Sequence, residues 1–76
     1  MAVYKKTING LPLVMTSQEL APNVTIYMIS VEGDSLMFPM VYKKEFGGWI
    51  FADKMTLLEF KEREKEISNA IEAAGG

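Results

Sequence analysis

Up to residue 52 the chain is written in short apolar-rich runs separated by turn residues; after residue 55 the period changes. The first run, 2–8, holds Val3, Tyr4, Thr7 and Ile8, which suit a pleated surface, and Asn9-Gly10 follows it. Both turn residues tolerate the positive φ of a two-residue type I′ hairpin, so a β-hairpin is predicted over 2–15. Pro12 cannot donate a ladder hydrogen bond, which places the returning strand at a sheet edge. Thr16 or Ser17 offers a helix start that Pro22 stops, so 16–21 is expected as a short turn or helix. Residues 24–31 (VTIYMISV) and 36–44 read as further strands, divided by the turn cluster EGDS at 32–35. Pro39 predicts a bulge or an edge. Gly47-Gly48 permits a second two-residue hairpin turn, with 49–52 returning from it.

The last third has helical spacing. Thr56-Leu57-Leu58-Glu59 has the form of a capping box, with Met55 and Phe60 at the staple positions. A helix is predicted over 57–73, ended by Gly75 and Gly76. On it Leu57, Phe60, Ile67, Ile71 and Ala74 share a face. The run KEREKE at 61–66 reads as a solvated surface with local pairs such as Glu59–Arg63. Glu59, Glu62 and Glu66 share a side that could hold a divalent cation loosely, but a solvated acidic face is the simpler reading. Ubiquitin-like modifiers also end in Gly-Gly; there the tail follows a strand, whereas here it follows a helix and reads as a C-cap. The elements make one domain, 1–76, of the α+β class. It is a small, mostly antiparallel sheet or half-barrel of roughly four to five strands packed by one C-terminal α-helix.

The strands in the middle are apolar on both sides. In 24–31 one face carries Val24, Ile26 and Met28 and the other Tyr27, Ile29 and Val31. In 36–41 one face carries Leu36, Phe38 and Met40 and the other Met37 and Val41. Neither run alternates as a sheet wetted on one side does. One helix covers one face, so the other must close on itself as a barrel or be buried against another molecule, most simply a second copy. The six methionines suit either a contact surface or a small core. Tyr42 and Trp49, with Phe38 and Met40, are the expected partner-binding residues.

The tetrapeptide VYKK occurs at 3–6 and again at 41–44. Each copy leads through a glycine-containing pair into alternating apolar residues, Leu11 and Leu13 or Trp49 and Phe51. Hairpin chemistry explains the likeness without duplication, and 24–31 has no counterpart in the second half. Successive strand residues face opposite ways, so each Lys-Lys pair is split between two faces. Tyr4 shares a face with Lys6, and Tyr42 with Lys44. The alternative function follows: a stacking platform with basic flanks for single-stranded nucleic acid, built from Tyr4, Lys6, Tyr42 and Lys44. Lysines that guard sheet edges against pairing account for the same residues. The net charge of −2 weighs against a nucleic-acid partner.

Two segments resemble a known family. EGDSLMF at 32–38 and GGWIFA at 47–52 are similar to the centre of a Src-homology-3-type barrel, where a Gly-Asp/Glu-x-Leu turn precedes a Gly-Trp strand. The similarity spans about a quarter of the chain. The family's acidic-aromatic opening strand and closing Pro-Ser-x-Tyr element are absent, and a helix stands in place of the closing strand. Its proline-rich peptide groove, for which Trp49 would be the natural aromatic, is therefore not carried over.

Chemistry is bounded by what the chain omits. It has no cysteine and no histidine, which excludes disulfides, ordinary structural zinc sites and Ser-His or Cys-His catalysis. No phosphate-cradling loop is present. Asp34, Glu45 and Asp53 lie in or near turns, where such residues form turns and caps. An enzyme, a cofactor and a metal are not expected. No apolar run reaches signal-peptide or membrane-spanning length, and cysteine-free composition suits a reducing compartment, so a soluble cytoplasmic protein is expected. By elimination the chain is expected to be a small non-catalytic interaction module that binds a protein partner, with a homodimer as the expected form. A regulator, adaptor or inhibitor of the compact kind encoded by phages and mobile elements fits that description.

Overall fold

The computed structural model describes residues 2–75. The chain runs through β1 (Val3–Ile8), β2 (Leu11–Ala21), β3 (Val24–Val31), β4 (Met37–Lys43), β5 (Gly48–Phe51), α1 (Leu58–Lys61) and α2 (Glu64–Ala73). The strands form one antiparallel sheet in chain order, curled as a half-barrel. Its inner face is covered by the helices. Alternate residues, from Ile8, Leu13 and Met15 through Ile29 and Met40 to Phe51, make the core with Phe60, Ile67 and Ile71.

Each hairpin has its own local cause. Asn9 and Gly10 take φ of 49° and 81° and close the pair Ile8–Leu11, as a type I′ turn requires. Residues 16–21 do not leave the sheet as a turn or helix: β2 continues to Ala21. Pro22 occupies the first position of the next turn, where its fixed φ is suitable, and Asn23 the second at φ 67°. Ser17, read as a helix start, instead exchanges strand bonds with Ala2. The Ser17 N–H donates to the Ala2 carbonyl (2.8 Å), and the Ala2 N–H donates to Ser17 Oγ (2.7 Å). A bulge between Glu19 and Ala21 absorbs Leu20.

The predicted edge positions of Pro12 and Pro39 are corrected, since β2 and β4 are inner strands. Within a strand, the N–H and C=O of one residue point to the same side. Pro12 stands one step beyond the last β2–β3 pair, Leu13–Val31, and its carbonyl accepts the Glu32 N–H at 2.9 Å. Pro39 stands one step beyond Met40–Phe51, and its carbonyl accepts the Ala52 N–H at 3.1 Å. Each missing donor thus falls where the neighbouring strand is ending, and interior rungs are kept.

The second VYKK hairpin is not a copy of the first. A 3-10 turn, Lys44–Phe46, followed by Gly47 at φ 68°, joins Lys43 to Gly48. The connection is longer than the two-residue Gly47-Gly48 turn expected, because Gly48 already belongs to β5. Lys44 lies in that turn and not in β4. Leu36 lies outside β4 as well, its N–H held by Asp34 Oδ1 at 3.1 Å.

The single helix predicted over 57–73 is broken. Arg63, at φ −106° and ψ 8°, separates α1 from α2. Its guanidinium donates from Nε to the Ile8 carbonyl (3.0 Å), from Nη2 to the Asn9 carbonyl (3.0 Å) and from Nη1 to the Glu59 carbonyl (2.6 Å). The helix gives way where this side chain ties it to the β1–β2 turn. The expected Glu59–Arg63 charge pair is therefore replaced by a bond to the Glu59 backbone. The ion pair found among the described residues is Lys5–Glu32 at 3.3 Å, exposed on both sides and worth little.

The capping box does not form. Thr56 Oγ1 donates to the Asp53 carbonyl (2.6 Å), and Asp53 Oδ1 accepts the Met55 N–H (2.8 Å). The Thr56 N–H also donates to the Asp53 carbonyl (3.2 Å), so both groups of the expected cap turn back to Asp53, and Leu57 takes the N-cap position. Met55 is 78% exposed and staples nothing. Of the predicted stripe, Phe60, Ile67 and Ile71 are buried, while Leu57 and Ala74 are exposed. Phe60 stacks on Phe51 (6.0 Å) and meets Phe38 edge-on (5.5 Å). Gly75 follows α2 at φ 89°; Gly76 lies outside the described residues.

The two edges of the sheet are treated differently. On β5 the outward N–H groups of Trp49 and Phe51 are taken by α2: Trp49 donates to Ser68 Oγ (2.9 Å) and Phe51 to Glu64 Oε2 (2.8 Å). The fit is geometric. Four helix residues rise about 6.0 Å and two strand residues about 6.6 Å. The approach needs Gly48, where a Cβ would stand 2.7 Å from Ser68 Oγ. Among the described residues, no side chain takes the outward N–H groups of β1 in this way.

Candidate interaction surface

Strand parity sends the residues between the core positions to the outer face. The register assembles them into rows. Val3, Thr16, Met28 and Pro39 lie side by side across four strands, and Lys5, Val14, Ser30 and Met37 form the next row. Ile26 stands opposite Gln18, and Val41 opposite Ile50. The buried cluster contains none of these residues. Val14, Ile26, Met28, Pro39, Val41 and Ile50 are half-buried, and Val3 and Met37 are exposed. The second apolar face is thus not folded into a closed barrel. It is presented outward, with Lys5, Glu32 and Lys43 at its rim.

Of the four residues expected to bind a partner, three lie elsewhere. Phe38, Met40 and Trp49 belong to the core beneath the helices, Met40 at 0% and Trp49 at 6% exposure. Parity of β4 allowed either face for Phe38 and Met40. The side taken by α1 and α2 decided it. Tyr42 alone remains accessible, at 50%. The buried Trp49 also gives no aromatic wall of the kind the Src-homology-3 resemblance would need.

Tyr4 and Tyr42 do lie on one face, the inner one, but two rings stand between them. The series runs Tyr4–Tyr27 (6.4 Å), Tyr27–Trp49 (5.0 Å) and Trp49–Tyr42 (5.7 Å). Tyr27 and Trp49 are buried, so the tyrosines are the ends of a packed row and not one platform. Lys6 is on exposed β1 and Lys44 is in the 3-10 turn, so the two Tyr–Lys sets are not side by side. Tyr4 Oη donates to the Ala74 carbonyl at 3.3 Å. Among the described residues, Trp49 Nε1 is the buried side-chain donor without an acceptor. That is a cost which the edge-on packing of Tyr27 and Tyr42 must offset.

The chain matches no protein family, curated protein or solved structure.

Burial pushes the Tyr27 phenol above its ordinary value of 10.0, and the neighbouring Tyr4 adds to the shift. The folded state therefore holds this proton more tightly than the unfolded chain does. The associated stability is fully present below about pH 10 and is lost as pH rises through the raised value. Urea titrations between pH 9 and 11 should show stability falling with pH, and the fall should flatten in Tyr27→Phe. An unchanged slope in that variant would assign the loss to other groups.

A depression of about 310 Å³ beside the 3-10 turn is lined by Phe46, Trp49, Ile50, Glu64 and Ser68 among others. Its carboxylate, Glu64, is already engaged by the Phe51 N–H. Glu59, Glu62 and Glu66 are exposed on either side of the helix break, and among the described residues no three acidic side chains converge as ligands. No helix among the described residues is long and apolar enough to cross a membrane.

Proposed function

We propose that this chain is a non-catalytic protein-interaction module that dimerises through the outer face of its sheet and so serves as a small regulator, adaptor or inhibitor. The observation that carries the reading is the face itself: Val14, Ile26, Met28, Pro39, Val41 and Ile50 are half-buried apolar residues, side by side in the outward rows of the sheet. Exposed apolar patches of this extent mark contact sites. A second copy fits because the centre of the face is uncharged, so stacking two of them opposes no like charges. Five strands and about five residues of each make a face of roughly 24 by 16 Å. Two such faces would bury roughly 800 Å², the size of a weak, concentration-dependent interface.

The test is sedimentation equilibrium of the intact chain beside Met28→Glu and Val41→Glu. Each substitution places a carboxylate in the middle of the stacked faces while leaving the core untouched. The parent chain should sediment as a dimer, and each variant should weaken association by about a hundredfold or more. A parent chain that stays monomeric up to millimolar concentration would end the dimer reading.

A further inference from the structure

We propose that the open edge of β1 takes up an extended acidic segment of a partner protein as a sixth strand, with Lys5 reading it on one face and Lys6 on the other. The edge borders the outer face, at whose rim Lys5 stands, but its backbone groups lie in the plane of the sheet, so the inference does not depend on dimerisation.

The hydrogen-bond pattern of the sheet identifies the edge. The pairs Ile8–Leu11, Lys6–Leu13 and Tyr4–Met15 follow the two-residue turn, and the Ala2–Ser17 bonds continue the same alternation. Even-numbered residues of β1 therefore bond to β2. The N–H and C=O groups of Val3, Lys5 and Thr7 point away from the sheet. Among the described residues no hydrogen bond from another element reaches them. The opposite edge is closed by Ser68 and Glu64. Unpaired backbone donors and acceptors in register are the template on which an added strand docks. β1 is also open from the sides, with Val3, Lys5, Lys6 and Thr7 all exposed.

Charge selects the occupant. Lys5 and Lys6 are adjacent, so they stand on opposite faces of the sheet edge. A second copy of β1 is disfavoured, because the fully overlapped antiparallel register sets Lys5 against its own counterpart. An incoming strand with two consecutive acidic residues meets both lysines at once, one on each face. The Lys5–Glu32 pair is exposed, so an incoming carboxylate can replace Glu32 at little cost. The split of the Lys-Lys pair, which rules out one compact basic patch, is what a strand carrying an acidic pair requires.

The experiment uses the intact chain and two labelled, end-capped peptides, Thr-Val-Asp-Glu-Val-Thr and Thr-Val-Lys-Lys-Val-Thr. Fluorescence anisotropy should show binding of the acidic peptide, weakened by salt, and at least about tenfold poorer binding of the basic one. The double variant Lys5→Glu, Lys6→Glu should reverse that preference. Amide exchange on the unmodified chain supplies a measure independent of any variant: the acidic peptide should slow exchange at Val3, Lys5 and Thr7. Met28→Glu should bind the peptide as the parent does, which separates this edge from the dimer face. Equal binding of the two peptides, or no slowing at those three amides with millimolar acidic peptide, would overturn the proposal.

Discussion

Gly48→Ala should lower stability by about 2–3 kcal/mol, read as a lower denaturant midpoint at unchanged m-value. The added methyl would lie 2.7 Å from Ser68 Oγ. That oxygen cannot simply swing aside, because it accepts the buried Trp49 N–H at 2.9 Å. Either α2 moves off β5 or the bond is lost. Ser68→Ala by itself should cost about 1–3 kcal/mol, since it leaves a buried N–H without an acceptor. The double variant is the informative one. With Ser68→Ala in place, the nearest remaining atom of residue 68 is its Cβ, at 3.9 Å, so Gly48→Ala should then cost only about 1 kcal/mol or less. Fully additive costs would show that the glycine serves the strand backbone and not the approach of the helix.

Arg63→Ala should cost about 3 kcal/mol in urea unfolding. One guanidinium serves the carbonyls of Ile8, Asn9 and Glu59, which belong to the first hairpin and to α1. Removing it unfastens the helix junction from the turn, and amide exchange at Gly10 and Leu11 should quicken. Arg63→Lys should recover less than half of the loss, because an ammonium group has no planar fork to span three acceptors. Near-complete recovery by lysine would mean that a positive charge at the junction suffices.

The strands and the fold class were legible because they rest on local chemistry: strand formers, Asn-Gly, and the change of period after residue 55. Pro12 and Pro39 misled because the direction of a missing N–H depends on register, and register is a property of strand pairs. Thr16 and Ser17 misled because a hydroxyl that can cap a helix can equally take a strand bond from Ala2. The capping box lost to a nearer competitor, Asp53. The break at Arg63 has no local signal at all, since two of its three acceptors lie in the first hairpin. For the interaction surface, the two apolar faces of β3 and β4 were plain, but their assignment to core or exterior was not. β2 held the clue: Leu11, Leu13 and Met15 on one parity are bulkier than Val14, Thr16 and Gln18 on the other. The register then carries that preference across to Ile29, Phe38 and Met40.

The order of the strands also bears on the lifetime of the native state. Every strand pairs with its neighbour in the chain, so the sheet can zip from its turns without closing a long loop. The bonds that join the two ends of the chain are few: Arg63 reaches back across 55 and 54 residues, and Tyr4 Oη meets the Ala74 carbonyl across 70. Contacts of that span are expected to form after the rate-limiting step, where they slow unfolding and leave the folding rate almost unchanged. How quickly the sheet assembles is then a matter for its turns, while how long it stays assembled is decided along the seam where the helices meet β1.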